Sequence, residues 1–376
     1  SGSKAADDVF MRQSIRLALR AKGFTSPNPL VGAVLVRKRE IIGKGWHHRA
    51  GEPHAEIEAL RHAAKRGISL RGATLYVTLE PCCTHGRTPP CTDAIIAAGI
   101  SRVVVGAPDP NPRHAGRGFD LLRKAGIKVV SGVMATECDT INAAFNHWIV
   151  QRKPLVTVKA AMTLDGKIAT ADGESKWITG IESRRFAMKL RQEADAILVG
   201  INTVLADNPS LTCRKLKLDG SPGPIVKPLR RIILDSRART PLSSAVVTDA
   251  HAALTTVVVG PKAPAKQIAA LQKRVRVLKA PEKAGRLDLK WLLTTLGKES
   301  VTSLLVEGGG EVVGSFVDLK LAHRVAFFYG PKVLGGAASR RGVAGQGAVG
   351  AKGIAMLSDL RWRKLGGDLL LTARIG

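Results

Sequence analysis

At 376 residues, with 45% apolar and 23% charged content, the chain is too long for one ordinary core and too apolar for a disordered segment. No uncharged apolar run approaches the ~20 residues of a membrane helix, and no apolar stretch near the start reads as a secretory signal. The formal net charge of +28 is spread over both halves, and five cysteines suit a reducing compartment better than a disulfide framework. Only 4% of residues are aromatic, which leaves few platforms for stacking bases. The basic balance is therefore read as a fit to phosphorylated small molecules rather than to nucleic acid. Ser1-Gly2-Ser3 reads as a cloning remnant. Two locations follow, the bacterial cytoplasm or the plastid stroma after removal of a transit peptide.

The first half alternates helix and strand. Helical apolar spacing at Phe10, Ile15, Leu17, Ala18 and Leu19 predicts a helix over Asp8–Lys22. Val31–Val36 is an apolar run of strand length, with Glu40–Trp46 as its hairpin partner. A helix over His54–Arg66, a strand over Thr74–Leu79 and a helix over Thr92–Ala98 follow. Next come a strand at Arg102–Gly106, a helix at Phe119–Ala125, a strand at Lys128–Ser131 and one connecting helix over Glu137–Trp148. The basic Gln151-Arg152-Lys153-Pro154 stops that helix, so the domain boundary is expected near 150, giving domains 8–150 and 151–376.

Within this half, His54-Ala55-Glu56, Pro81-Cys82 and Cys91 carry chemistry. One histidine and two cysteines are the donor set of a catalytic zinc site, in which three protein ligands leave the fourth position to water. A carboxylate that is not a ligand then carries protons, and Glu56 fits that role. A lone His-Ala-Glu is weak evidence. The whole string, Leu79-Glu80-Pro81-Cys82 followed by Gly86-Arg87-Thr88-Pro89-Pro90-Cys91, is strong. Cys82 is expected to open a helix, whose dipole would favour its thiolate. Cys138 and Cys213 are read as packing residues.

The second half predicts strands at Leu155–Met162, Ala196–Gly200, Arg231–Asp235, Thr255–Val259, Val275–Ala280, Ser303–Glu307 and Val325–Tyr329. Helices are predicted at Glu182–Ala194, Lys266–Lys273, Leu287–Gly297 and Glu311–Leu319. Lys215–Lys227 reads as a surface loop, and Arg340–Gly353 as a Gly/Ala-rich mobile segment with few anchors. No Gly-x-Gly-x-x-Gly follows the first strand, so a Rossmann site is unsupported. Instead, strand Ser303–Val306 runs through Glu307-Gly308-Gly309-Gly310 into an apolar helix, a turn whose backbone can approach a pyrophosphate.

Nucleic-acid base deaminases carry their second cysteine in a short Pro-Cys-x-x-Cys unit. Here eight residues separate Cys82 from Cys91. With Asn28-Pro29-Leu30-Val31-Gly32 upstream, this pattern resembles the deaminase half of the bifunctional riboflavin-biosynthesis deaminase/reductases. Lys159-Ala160-Ala161-Met162-Thr163-Leu164-Asp165-Gly166-Lys167, Ser175-Lys176-Trp177 and Thr203-Val204-Leu205-Ala206-Asp207-Asn208-Pro209 resemble its reductase half. Motifs of both halves stand in the expected order over roughly residues 8–372 of the chain. The resemblance implies an α/β protein with a cytidine-deaminase-like three-layer α/β/α domain and a dihydrofolate-reductase-like α/β domain. It implies zinc held by His54, Cys82 and Cys91, with Glu56 catalytic, Asn28 on the pyrimidine and Cys83 a non-ligand at a position usually small and polar. It further implies NADPH contacts at Ala161, Trp177, Thr203, Asp207, Ser236, Gly309 and Gly310. Contacts to the phosphorylated pyrimidine would fall on Ser175, Arg191, Leu211, Arg214 and Glu307, the two arginines gripping the sugar phosphate by bidentate bonds. A homo-oligomer, most simply a two-fold dimer, is also implied. The rival reading, an RNA or DNA base deaminase, has the basic charge in its favour and the long cysteine spacing against it.

Overall fold

The computed structural model describes residues 4–84, 89–112 and 114–376, and the chain divides into two units, Ser1–Arg152 and Lys153–Gly376. The first unit is built on strands β1 (Gly32–Arg37), β2 (Glu40–Trp46), β3 (Thr74–Leu79), β4 (Arg102–Ala107) and β5 (Lys128–Ser131). They form one sheet in the order β2-β1-β3-β4-β5, antiparallel from β2 to β3 and parallel from β3 to β5. Its helices are α1 (Lys4–Ala18), α2 (Ala55–Lys65), α3 (Cys91–Ala97), α4 (Arg117–Lys124), α5 (Ala135–Ile141) and α6 (Ala143–Gln151).

Side chains alternate across a strand, and here both faces are buried. Leu75, Val77, Val103 and Val105 pack against Ala59 of α2, Ile95 of α3 and Leu122 of α4. Tyr76 and Val104 face the other way, onto Met11 and Ile15 of α1 and Cys138 of α5. The result is three layers, α/β/α. On the α1 side, buried Asp7 accepts from Tyr76 Oη at 2.9 Å and from Arg102 at 2.7 and 2.9 Å. That places one charged network between the helix and two strands.

The expected helix over Glu137–Trp148 is broken into α5 and α6 at Asn142, whose φ of −105° and ψ of 13° leave the helical well. The break frees its side chain for other work. Asn142 Oδ1 accepts from Leu30 N at 2.7 Å while Nδ2 donates to Leu30 O at 2.9 Å. The segment Asn28-Pro29-Leu30 is thereby held in place.

The second unit opens with β6 (Leu155–Thr163), β7 (Lys167–Ala169), α7 (Ile181–Glu193), β8 (Ala196–Gly200), α8 (Ile201–Asp207), β9 (Cys213–Leu216) and β10 (Pro222–Lys227). There follow β11 (Arg230–Leu234), α9 (Ala245–Thr248), β12 (Thr255–Val259), α10 (Ala265–Gln272), β13 (Arg276–Lys279) and the small hairpin β14 (Glu282–Lys283) with β15 (Arg286–Leu287). The chain continues through α11 (Leu289–Lys298), β16 (Ser303–Gly308), α12 (Gly310–Asp318), β17 (Arg324–Gly330), β18 (Arg340–Arg341), β19 (Leu357–Leu365) and β20 (Asp368–Ile375). Nine strands make one sheet in the order β13-β12-β11-β8-β16-β6-β17-β20-β19, parallel up to β17 and antiparallel beyond it. Ala196 and Leu198 face Leu292 and Phe316 of α11 and α12, while Ile197 and Val199 face Val204 of α8 and Leu271 of α10.

Two expectations change here. Lys215–Lys227 is not a plain loop: most of it belongs to the antiparallel hairpin β9–β10. The segment from Arg340 is anchored at its start, where β18 pairs with β7, Gly342 N donates to Gly166 O, and Ala344 N donates to Gly310 O. Neither β19 nor β20 is among the strands expected from the sequence.

Candidate active sites

The first site is assembled at one end of β3 and at the start of two helices. His54 is the N-cap of α2, with extended backbone (φ −74°, ψ 163°) and no side-chain capping bond, so its ring is free to turn toward the cysteines. Gly45 lets α2 approach the sheet: a Cβ there would lie 2.3 Å from Ala55 O. Cys82 does not open a helix. The helix begins nine residues later at Cys91, and its first N–H reaches back to Cys82 Sγ at 3.3 Å. The helix end therefore acts on the expected thiolate from across the site. Residues 85–88 of the cysteine string lie outside the described residues.

His54 Nδ1 lies 3.5 Å from Cys82 Sγ and 3.3 Å from Cys91 Sγ, and the three ligand atoms fall within 4.8 Å of one another. One nitrogen and two sulfurs at this separation fit Zn²⁺ with a coordination position to spare. Hydrogen bonding with Cys91 and with His54 holds the Cys82 thiol down to about 4. Sharing with that thiolate, together with burial, pushes the Cys91 thiol up. Glu56 stands in the first turn of α2, 3% exposed, and its Oε2 has no hydrogen-bond partner among the described residues. Burial, and then the nearby Cys82 charge, raise its carboxyl to about 7. A buried acceptor with no partner is costly, which is what a group reserved for a reacting water looks like.

A cavity of about 320 Å³ joins Asn28, His54, Glu56 and Cys82. It also brings in His47, Glu80, Asp109, Asn111 and His114, to which the sequence reading gives no role. His47 Nε2 meets Asn28 Nδ2 at 3.1 Å, and its Nδ1 meets Pro53 O at 3.1 Å. Burial pushes the His47 ring toward its neutral form. Glu80 accepts from the backbone N–H groups of Asp109, Gly116 and Gly118 at 2.9 to 3.1 Å, which fixes the loop at the cavity wall. No spacing pattern marks these residues, because the fold alone brings them together.

In the second unit a cavity of about 710 Å³ gathers Ser175, Thr203, Asp207, Gly309 and Gly310, together with Asn202, Arg340 and Arg341. Its volume suits a nucleotide cofactor. Its floor is the turn from β16 into α12, where a Cβ on Gly310 would lie 2.0 Å from Arg341 O. Ala161, Trp177 and Ser236 are not in that lining. Ala161 packs beside Phe328, Trp177 is 61% exposed under the Arg184 guanidinium, and Ser236 O accepts from Gly260 N at 3.1 Å.

Of the expected substrate residues only Ser175 is in that lining; Arg191, Leu211, Arg214 and Glu307 lie outside it. Arg191 donates from Nε and Nη2 to Glu307 at 2.8 and 2.9 Å, and from Nη1 to Thr212 O at 2.9 Å. Lys159 Nζ lies 3.7 Å from the same carboxylate. These two cations hold the Glu307 carboxyl down to about 2 against the burial that opposes them. The fork of Arg191 is thus committed to Glu307 rather than open for a bidentate phosphate grip. Arg214 is the second residue of β9, just after the Ser210–Thr212 segment, and its Nε donates to Thr212 Oγ1 at 2.8 Å.

Both halves of the chain are similar to known proteins. Residues 154–371 match the RibD C-terminal domain family, and residues 4–107 match the cytidine and deoxycytidylate deaminase zinc-binding region. The riboflavin biosynthesis protein RibD of Actinobacillus pleuropneumoniae is 43% identical over 364 residues, 96% of this chain and 93% of that protein. The chain belongs to the RibD family. It is a bifunctional enzyme of riboflavin biosynthesis, with a zinc-binding deaminase domain and a reductase domain, and the latter fits NADPH. RibD of Aquifex aeolicus is 45% identical over 329 residues, 88% of each chain. The structure of Acinetobacter baumannii RibD superposes with a TM-score of 0.85 at 34% identity, covering both chains in full. A Thermotoga maritima structure, described as a diaminohydroxyphosphoribosylaminopyrimidine deaminase/5-amino-6-(5-phosphoribosylamino)uracil reductase, gives 0.82 at 35% identity over 99% of each chain. Among the described residues no helix is long and apolar enough to cross a membrane.

Proposed function

We propose that residues 8–150 hydrolytically deaminate 2,5-diamino-6-ribosylamino-4(3H)-pyrimidinone 5′-phosphate, and that residues 151–376 then reduce its ribosyl unit to ribityl. The observation that carries the first half is the convergence of His54, Cys82 and Cys91 beside the Glu56 carboxyl, whose Oε2 has no hydrogen-bond partner among the described residues. Bound through those three residues, Zn²⁺ supplies a water activated for attack at neutral pH. Glu56 Oε2 is placed in the same cavity, where it would take a proton from the attacking water as the amine-bearing ring carbon is hydrated. The same carboxyl returns protons to the ring nitrogen and to the amine, which leaves as ammonia. Asn28 orients the pyrimidine.

In the reductase half NADPH supplies the hydride that reduces the sugar C1′, with the ring opened to an imine. Thr203, Asp207, Gly309 and Gly310 line its cavity with Ser175, and we assign Ala161, Trp177 and Ser236 to further cofactor contacts from outside that lining. Glu307, held ionised by Arg191 and Lys159, accepts hydrogen bonds from ribose hydroxyls. Leu211 and Arg214 receive the ribose phosphate. We further propose a two-fold homodimer, located in the bacterial cytoplasm or, if a transit peptide is removed, in the plastid stroma.

The test is one assay on purified protein of known metal content. Ammonia release from the diaminopyrimidine phosphate should precede NADPH oxidation, followed by its near-ultraviolet absorbance. Glu56→Gln should lower deamination by more than about a hundredfold, with zinc still bound and reduction of pre-deaminated substrate intact. Ammonia release at the parent rate would remove Glu56 from the mechanism.

A further inference from the structure

Arg231 of β11 is 0% exposed and lies outside both cavities. Its guanidinium is saturated. Nε donates to Thr255 Oγ1 at 2.8 Å, Nη1 to Asp249 Oδ2 at 2.6 Å, and Nη2 to Asp249 Oδ1 at 2.8 Å and to Val246 O at 3.1 Å. The remaining Nη1 bond goes to Ser210 O at 2.9 Å. Asp249 is itself oriented by His251 N at 3.0 Å, and Thr255 Oγ1 donates to Val246 O at 2.7 Å.

An ion pair with one fully buried partner and one partly exposed contributes little net stability, because desolvation offsets most of the attraction. What it does fix is the direction of the planar fork. Here one prong points at the first carbonyl of the Ser210–Thr212 loop, which leads directly into β9 and Arg214. Two residues on, Thr212 O is held at 2.9 Å by a second, half-buried guanidinium, Arg191. The loop is therefore pinned from two sides, and between the pins Leu211 takes a φ of 50°, a left-handed value costly for leucine. The side chains of Ser210 and Thr212 both contact the Arg214 guanidinium. Moving Ser210 would move the groups that aim Arg214.

We propose that the Arg231–Asp249 pair is the positioning element of the reductase substrate site. It acts through the Ser210 carbonyl to hold Leu211 and Arg214 where the ribose phosphate of the substrate binds. This rests on the proposed role of that loop in substrate binding, and the test separates the two.

The variants are Asp249→Asn, Arg231→Lys, Arg214→Ala and the double Asp249→Asn/Arg214→Ala, each in the full chain with zinc bound. The readouts are KM and kcat for the deaminated substrate, and NADPH affinity by fluorescence titration. Loss of positioning should raise KM about tenfold for Asp249→Asn and for Arg231→Lys, with NADPH affinity and ammonia release unchanged. In the double variant KM should rise less than the product of the single effects, because both act on one contact. Arg231→Lys keeps the charge without the fork, so it decides the matter if Asp249→Asn folds poorly. An unchanged KM in the folded variants would overturn the proposal, as would full additivity with an Arg214→Ala variant that is itself impaired. If Arg214→Ala alone leaves KM unchanged while Asp249→Asn raises it, the loop is positioned as proposed and the role of Arg214 is wrong.

Discussion

Asn28 can help a pyrimidine only if its amide faces the cavity one way round, and His47 decides which way. A carbonyl only accepts, so the 3.1 Å contact with Pro53 O places the hydrogen of the neutral ring on Nδ1. Nε2 is then an acceptor, and the 3.1 Å contact to Asn28 must come from the amide nitrogen. Asn28 Oδ1 is left for a ring N–H or amine of the substrate. Replacing His47 by Leu removes this constraint and should raise KM for deamination about tenfold, the worth of one buried polar contact. Zinc content and NADPH oxidation with pre-deaminated substrate should stay as they were. Steady-state ammonia release measures this, and an unchanged KM would mean that Asn28 needs no such support. His47 also shows where sequence reading stops. His54, Glu56, Cys82 and Cys91 are legible because zinc chemistry restricts residue type and spacing together. His47, Glu80 and Asn142 act through hydrogen bonds to backbone or amide groups, and such bonds impose no spacing.

Elements are joined by the same kind of contact, and here pH reads it. Glu299 caps the C-terminal end of α11 and reaches two strands, accepting from Arg230 of β11 at 2.5 Å and from Arg276 of β13 at 2.6 and 2.9 Å. Hydrogen bonding to Arg276 leads in holding its carboxyl down to about 2, from an ordinary value near 4.5. A depressed carboxyl stabilises the fold above the unfolded value, and that contribution fades as pH falls from about 4.5 to about 2. The pair is partly exposed, so Glu299→Gln should cost about 1 kcal/mol at neutral pH. The gap in melting temperature should close across that acid window. A gap independent of pH would show that packing, not charge, is lost. Most elements of this kind are visible in sequence when they are buried. Ala196–Gly200 and Thr255–Val259 are buried at every position and stand where the apolar runs predict them. β9–β10 and β19 are not visible for the opposite reason. With seven exposed positions in a row, β19 has no buried face to impose an alternation.

That same exposure bears on the whole molecule. β19 ends the nine-stranded sheet and leaves Leu360 and Trp362 51% and 59% exposed, with Met356 nearby at 68%. Adjacent side chains on a strand point to opposite faces. Arg363 lies over the Phe186 ring of α7 at 5.2 Å, so its neighbour Trp362 points away from that helix, beside Tyr329. Two further features narrow what covers Trp362. Arg361, Arg363 and Lys364 crowd the strand itself, and cations on an edge oppose strand-to-strand pairing with an identical copy. The open face, by contrast, carries bulky apolar groups at its centre, the composition of an interface core. A two-fold dimer meeting through this face brings the Leu360 and Trp362 of both copies together while Arg363 stays on the other face, over Phe186. Trp362→Asp places two carboxylates at that centre. The purified protein should therefore run as a dimer by light scattering, and the variant as a monomer with both activities measurable. A parent protein that is monomeric, or a variant that remains dimeric, would remove this face from the interface.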